Sequence, residues 1–176
     1  MDWRTAVGKA LLESEREFLY DSAARTAAKF GSPVLVNIGV FRCASMYCLR
    51  AGAPRARLVG IDVVACATPV DSQLRAEFII ADSTKCYVKF HEPIHLLFID
   101  GNHHFEYVLA DLNNWSPKVV SQGRVILHDC YPKPKDLQKT PHLEGVNRAV
   151  NTWFPGLRTQ WSEVIAPGSL RAFDRL

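Results

Sequence analysis

The sequence contains no apolar run approaching the ~20 residues of a membrane-spanning helix, so no membrane partner is expected. It also lacks a strong charge of either sign: 21 Lys and Arg against 18 Asp and Glu leave a net +3, and the arginines are scattered. Without a clustered basic groove, no nucleic-acid partner is expected. Zinc-finger spacing is absent among Cys43, Cys48, Cys66, Cys86 and Cys130. An odd count without paired spacing reads as reduced thiols in a cytoplasmic protein. The opening Met1-Asp2-Trp3-Arg4 leads into a charged amphipathic segment and lacks the pattern of a signal peptide. There is no internal repeat, low-complexity tract or domain linker. What is present is 176 residues, 48% hydrophobic and 22% charged, which suits one domain with a real core.

The most informative stretch is Ile94-His95-Leu96-Leu97-Phe98-Ile99 running into Asp100-Gly101-Asn102-His103-His104. The apolar part reads as a strand buried on both faces of a parallel sheet. The polar part then falls at the strand's carboxyl end, where open α/β sheets bind ligands. Gly123-Arg124-Val125-Ile126-Leu127 followed by His128-Asp129-Cys130 repeats the arrangement. Two adjacent strands ending this way converge acids and imidazoles on one pocket.

Other strands are predicted at 34–40, 58–62 and 77–81, each followed by a polar turn. Asp62 lies 23 residues after Gly39, a spacing at which an acid accepts hydrogen bonds from ribose hydroxyls; a helix cap is the structural alternative. Asp82-Ser83 can cap a helix over 84–90, meet an adenine edge, or do both. A helix is also predicted over 69–75. Helices over 45–50 and 104–115 follow from Gly52 past the end of the first and from Phe105, Val108, Leu109 and Leu112 in the second. Residues 3–30 carry helical signals, with Asp2 and then Asp21-Ser22 as caps of two successive helices that either cover the sheet edge or the cleft or simply pack against the fold. Residues 131–142 read as a linker with Lys133, Lys135 and Lys139, which either favour an anionic substrate or are simply solvated. A helix around Val146 to Trp153 and a hairpin, 161–165 with 170–173, close the chain. Alternating strands and helices predict a Rossmann-like, doubly wound α/β sheet, mostly parallel, with an antiparallel C-terminal hairpin and N-terminal cap helices. The division expected is 1–32 as cap and 33–176 as the main unit.

The chain resembles the class I S-adenosylmethionine-dependent methyltransferases, in particular the small bacterial group that includes macrolide-sugar O-methyltransferases. The resemblance is carried by Val36 to Ser45, Gly60-Ile61-Asp62, Ala81-Asp82-Ser83, Phe98 to His103 with Glu106 and Asp111, Leu127-His128-Asp129, and Gly145-Val146 with Arg148-Ala149-Val150. It implies a seven-stranded sheet that binds S-adenosylmethionine. Asn37, Gly39, Val40 and Ser45 would flank its methionine part. Asp62 and Val63 would hold the ribose, Asp82 and Ser83 the adenine, with Asp100 beside them. The family usually has an acid where Asn37 stands and a glycine where Cys43 stands.

The resemblance further implies a divalent metal, magnesium or manganese, at Asp100, His128 and Asp129, with His103 as general base beside Asp100. The alternative for these groups is helix capping by the acids and a packed, hydrogen-bonded His128. Methyl transfer is an in-line displacement in which positioning dominates. A metal lowers the pKa of a hydroxyl nucleophile, and a histidine takes its proton near neutral pH. The expected partner is a small hydroxyl-bearing acceptor; oligomeric state is left open, a homo-oligomer included. The rival class is a catalytically weak or inactive methyltransferase-like binding or regulatory module, motivated by Asn37 and Cys43. A nicotinamide dehydrogenase would need a glycine triad that Gly39 to Cys43 lacks.

Overall fold

Apolar runs bounded by glycine, proline or an acid become the strands, and apolar stripes at helical spacing become the helices that cover them. The computed structural model describes residues 11–65, 72–130 and 142–176. In chain order these form α1 (Glu13–Phe30), β1 (Val34–Ile38), α2 (Ala44–Gly52), β2 (Arg57–Asp62), β3 (Ala76–Ile80), α3 (Ser83–Cys86), β4 (Ile94–Ile99), α4 (Phe105–Trp115), β5 (Val119–Leu127), α5 (His142–Trp153), β6 (Trp161–Val164) and β7 (Arg171–Arg175). The predicted linker at 131–142 lies outside the described residues except for His142, which starts α5. The predicted first N-terminal cap at Asp2 lies wholly outside them.

The seven strands run in the order β3-β2-β1-β4-β5-β7-β6. β1 to β5 are parallel neighbours, and β7 inserts antiparallel between β5 and β6. The predicted mixed sheet with its terminal hairpin is therefore what forms. Connectivity reverses between β1 and β4, the crevice where doubly wound sheets bind ligands.

Alternate residues of each central strand serve opposite faces. Leu35, Leu58, Leu96, Phe98 and Ile126 pack with Leu19 and Ala23 of α1 and Met46 and Leu49 of α2. Val36, Val59, Leu97, Ile99 and Val125 pack with Val108, Leu112 and Trp115 of α4 and Val150 and Trp153 of α5.

Several sequence expectations are corrected. Residues 13–30 form one helix, not two with a cap at Asp21-Ser22. Ser22 is buried at its centre, and its hydroxyl accepts from Arg124 Nη1 at 2.9 Å instead of capping. α1 also lies on a sheet face against α2, not along an edge. Gly52 is the last residue of α2, and Gly123 lies inside β5. There a Cβ would come within 2.8 Å of Val119 Cγ1 and 3.0 Å of the His95 carbonyl, so the glycine allows a close strand contact. The helix predicted over 84–90 is a single α-turn continued by a 3-10 turn, Tyr87–Lys89. Of the helix predicted over 69–75, the described part is a 3-10 turn, Ser72–Leu74.

Candidate active site

The carboxyl ends of β1, β2, β3 and β4 open onto a cavity of about 520 Å³. Its wall includes Gly39, Asp62, Val63, Asp82, Ser83, Asp100, Gly101 and Asn102, with Tyr107 and Asp111 from α4. Six predicted positions thus meet there: Gly39, Asp62, Val63, Asp82, Ser83 and Asp100. Asn37, Val40 and Ser45 are buried behind it.

The β1–α2 turn is tightly wound. Gly39 has φ +81°, and a Cβ there would fall 2.0 Å from the Asp100 carbonyl oxygen. Phe41 and Cys43 also take positive φ, 44° and 64°. The left-handed backbone at Cys43 explains why a glycine is expected at that position. Asn37 braces the turn, its Nδ2 donating to the Gly39 carbonyl at 2.7 Å. Asp62 secures it from β2: Oδ2 accepts from Val40 N at 2.8 Å and Phe41 N at 3.1 Å, and Oδ1 accepts from Val64 N at 3.2 Å. The acid facing the cavity therefore also shapes the loop that would hold a ligand.

Asp82 acts as the α3 cap. Its Oδ1 accepts from Thr84 N at 3.0 Å and Thr84 Oγ1 at 2.6 Å, and Lys85 Nζ lies 3.1 Å from Oδ2. The Thr84 hydroxyl bond, with Lys85, lowers its pKa. On α4, Asp111 is 2% exposed, and its Oδ1 has no hydrogen-bond partner among the described residues. Burial pushes its pKa up to about 7, only partly offset by the Ser83 hydroxyl. The folded state then holds the Asp111 proton more tightly than the unfolded chain. Its stability penalty is absent below pH ~4 and grows as pH rises toward 7, reaching about 4 kcal/mol. Asp111→Asn should accordingly raise the melting temperature by several degrees at pH 8 and leave it nearly unchanged at pH 4. An equal shift at both pH values would contradict this account.

A second cluster adjoins Asp100. His103 Nε2 lies 3.5 Å from Asp100 Oδ1 and 3.5 Å from Asp129 Oδ2. His128 Nδ1 approaches the same two oxygens at 3.2 and 3.4 Å. Its other nitrogen, Nε2, faces Glu15 Oε2 of α1 at 3.3 Å. Burial works against protonation of His128, but the carboxylates of Asp100, Asp129 and Glu15 win and hold its pKa far above the ordinary histidine range. Burial likewise opposes ionisation of Asp100, and bonds from His103 and His128 override it and lower its pKa. Among the described residues the three-donor group able to hold a metal is Asp100, His103 and Asp129, with donor atoms within 4.8 Å of one another. The predicted trio of Asp100, His128 and Asp129 is in contact as well, with His128 Nδ1 toward the two aspartates and Nε2 toward Glu15.

Glu15 was not singled out from the sequence. It is 1% exposed and also accepts from Leu12 N at 2.8 Å, Ser169 N at 2.8 Å and Ser169 Oγ at 2.9 Å. The available signal was its place on the apolar stripe Leu11, Glu15, Leu19, Ala23, where a lone acid needs a buried partner. α5 fixes the other side of the cluster. A Cβ on Gly145 would meet the His103 carbonyl at 2.3 Å and Phe105 N at 2.7 Å.

The family model described as "Methyltransferase domain" matches residues 36–130, more than half of the chain. The chain belongs to this methyltransferase family. Solved structures show the same fold. The MycE methyltransferase of the mycinamycin biosynthetic pathway, in complex with Mg and S-adenosylhomocysteine, superposes with TM-score 0.65 at 15% identity over 89% of this chain. The present methyltransferase chain spans 48% of the MycE chain. The O-methyltransferase NovP gives TM-score 0.69 at 13% identity, covering 93% of this chain and 80% of its own. An O-methyltransferase from Bacillus cereus, in complex with S-adenosylhomocysteine, gives 0.65 at 14% identity, covering 97% and 84%. Among the described residues of this methyltransferase, no helix is long and apolar enough to cross a membrane.

Proposed function

We propose that the protein transfers a methyl group from S-adenosylmethionine to a hydroxyl of a small-molecule acceptor. The observation that carries this reading is that a cavity walled by Gly39, Asp62, Asp82 and Asp100 adjoins the Asp100–His103–Asp129 cluster, with Asp100 common to both. Exposed Phe41, Val63 and Tyr107 offer apolar surface along the same cavity. The solved structures with bound S-adenosylhomocysteine support the choice of cofactor.

In this reading the His103 imidazole takes the acceptor's hydroxyl proton. The oxygen attacks the methyl carbon, the carbon–sulfur bond breaks toward sulfur, and the sulfonium becomes the thioether of S-adenosylhomocysteine. Asp100 and Asp129, each 3.5 Å from His103 Nε2, stabilise the imidazolium that forms. Two carboxylates and an imidazole are also a donor set that fits a divalent cation. Asp100 and Asp129 would hold magnesium or manganese, which lowers the pKa of a bound hydroxyl. His128 sits against the same carboxylate oxygens and competes with such an ion for them.

Calorimetric titration with S-adenosylhomocysteine tests the cofactor, and the same titration with Mn²⁺ tests the cation. His103→Ala should lower transfer at least ~100-fold while leaving the S-adenosylhomocysteine affinity within about twofold. Absence of cofactor binding would favour a non-catalytic module, and unchanged turnover in His103→Ala would remove the base assignment.

A further inference from the structure

We propose that Glu15 is a positioning residue for the Asp100–Asp129 pair: bonded to the far side of His128, it fixes that ring and offsets its charge, so that the two aspartates keep the capacity to hold a divalent cation. This rests on reading Asp100 and Asp129 as the holders of such an ion.

A single imidazole, His128, lies against both aspartates, with Nδ1 3.2 Å from Asp100 Oδ1 and 3.4 Å from Asp129 Oδ2. Its Nε2 lies 3.3 Å from Glu15 Oε2. With a carboxylate facing each ring nitrogen, both nitrogens are placed to donate, which is the arrangement of an imidazolium. A positive ring against the aspartate oxygens opposes the entry of a cation. Two aspartates and that ring alone carry one net negative charge, counting His103 as neutral, which is too little to balance a divalent ion. Glu15 brings the group to two net negative charges, the amount that such an ion neutralises.

The surroundings of Glu15 are built for a fixed carboxylate. It stands on the buried stripe of α1 with Leu19 and Ala23 and is 1% exposed, so it acts through His128 and not by touching acceptor or ion. Its Oε1 accepts from Ser169 N at 2.8 Å and Ser169 Oγ at 2.9 Å, and Oε2 accepts from Leu12 N at 2.8 Å. Gly168, with φ +63°, closes the turn over it, and a Cβ there would fall 2.4 Å from Oε1. Hydrogen bonds of this kind favour the charged form of an acid. The start of α1, the turn before β7 and the end of β5 thus meet on one side chain, and its charge is delivered to the cluster across the His128 ring.

The test is calorimetric titration of Mn²⁺ into wild type, Glu15→Gln, His128→Asn and the double variant near neutral pH, with melting curves to show that each is folded. Gln keeps an acceptor oxygen without the charge, and Asn keeps a neutral N–H donor in place of Nδ1. Glu15→Gln should bind Mn²⁺ about tenfold more weakly than wild type and His128→Asn about tenfold more tightly, since each changes the charge near a divalent ion by one unit. The double variant should fall within about threefold of wild type, because it has lost one charge of each sign. A Glu15→Gln affinity within about threefold of wild type overturns the proposal, as does a His128→Asn affinity no higher than wild type. A double variant about tenfold weaker than wild type overturns it too, since Glu15 then does not act through His128. The last two comparisons decide the matter even where Glu15→Gln does not fold. Failure of wild type to bind Mn²⁺ overturns the cation reading itself, and this inference with it, and leaves the cofactor assignment standing.

Discussion

Replacing Glu15 with alanine is expected to cost about 3–5 kcal/mol of folding stability, the usual loss when one member of a buried charged pair is removed. Glu15 is 1% exposed and accepts hydrogen bonds from Leu12 N, Ser169 N, Ser169 Oγ and His128 Nε2. Burial would raise its pKa, but these donors, His128 first among them, hold it at about 2. Alanine leaves the Ser169 amide and a charged imidazole without that acceptor. At about 2–4 °C per kcal/mol for a chain of this size, the melting temperature should fall by roughly 10 °C. Glu15→Gln keeps an acceptor oxygen and should lose less. The wild-type advantage over alanine should shrink as pH falls from the ordinary glutamate range toward 2, because the carboxylate's contribution is present above that range and is lost on protonation. Thermal denaturation of the three proteins between pH 3 and 7 measures this. A loss under about 1 kcal/mol for alanine would mean that the His128–Glu15 contact adds little.

Gly39→Ala should be equally severe for a different reason. The new methyl would sit 2.0 Å from the Asp100 carbonyl oxygen and 2.6 Å from Gly101 N, both backbone atoms. The backbone there is left-handed as well, which alanine resists. Relief requires β1 and β4 to part where Asp100 N donates to the Ile38 carbonyl at 2.8 Å. We expect a loss above about 4 kcal/mol, in the range reserved for overpacking or strained backbone, together with loss of S-adenosylhomocysteine binding. Gly31→Ala provides a control, since it has a similar φ of +75° but no atom within 4 Å of the added carbon. If calorimetry and melting curves show both variants equally affected, backbone strain alone accounts for the loss at Gly39, and the contact with β4 is irrelevant.

Much of the architecture was legible because central strands announce themselves. Val34 to Ile38, Leu58 to Asp62 and Ile94 to Ile99 are apolar on both faces and end in glycine or acid, which marks both their burial and the ligand end. The positions of Asp62, Asp82, Asp100 and Asp129 at strand ends followed from the same pattern. What the pattern does not carry is direction within a cluster. That His128 faces α1, while His103 lies between Asp100 and Asp129, depends on a contact between residues 113 positions apart. That Glu15 was not singled out and Asp111 was given no role has one reason. Each sits on the apolar face of a helix, where an acid interrupts a hydrophobic stripe, and only the tertiary fold shows what it faces. The split of α1 at Asp21-Ser22 went wrong because a Ser that serves Arg124 across the sheet looks, locally, like a cap.

Gly145 has a consequence for how the protein can be varied. α5 rests on the peptide groups of residues 103 to 105 with no room for a methyl between them. The imidazole at 103 is therefore placed by a rigid strut, and its alignment should survive loop grafting elsewhere around the cavity. Phe41 and Tyr107, which line the cavity and are exposed, are the positions open to variation there, with position 145 left alone.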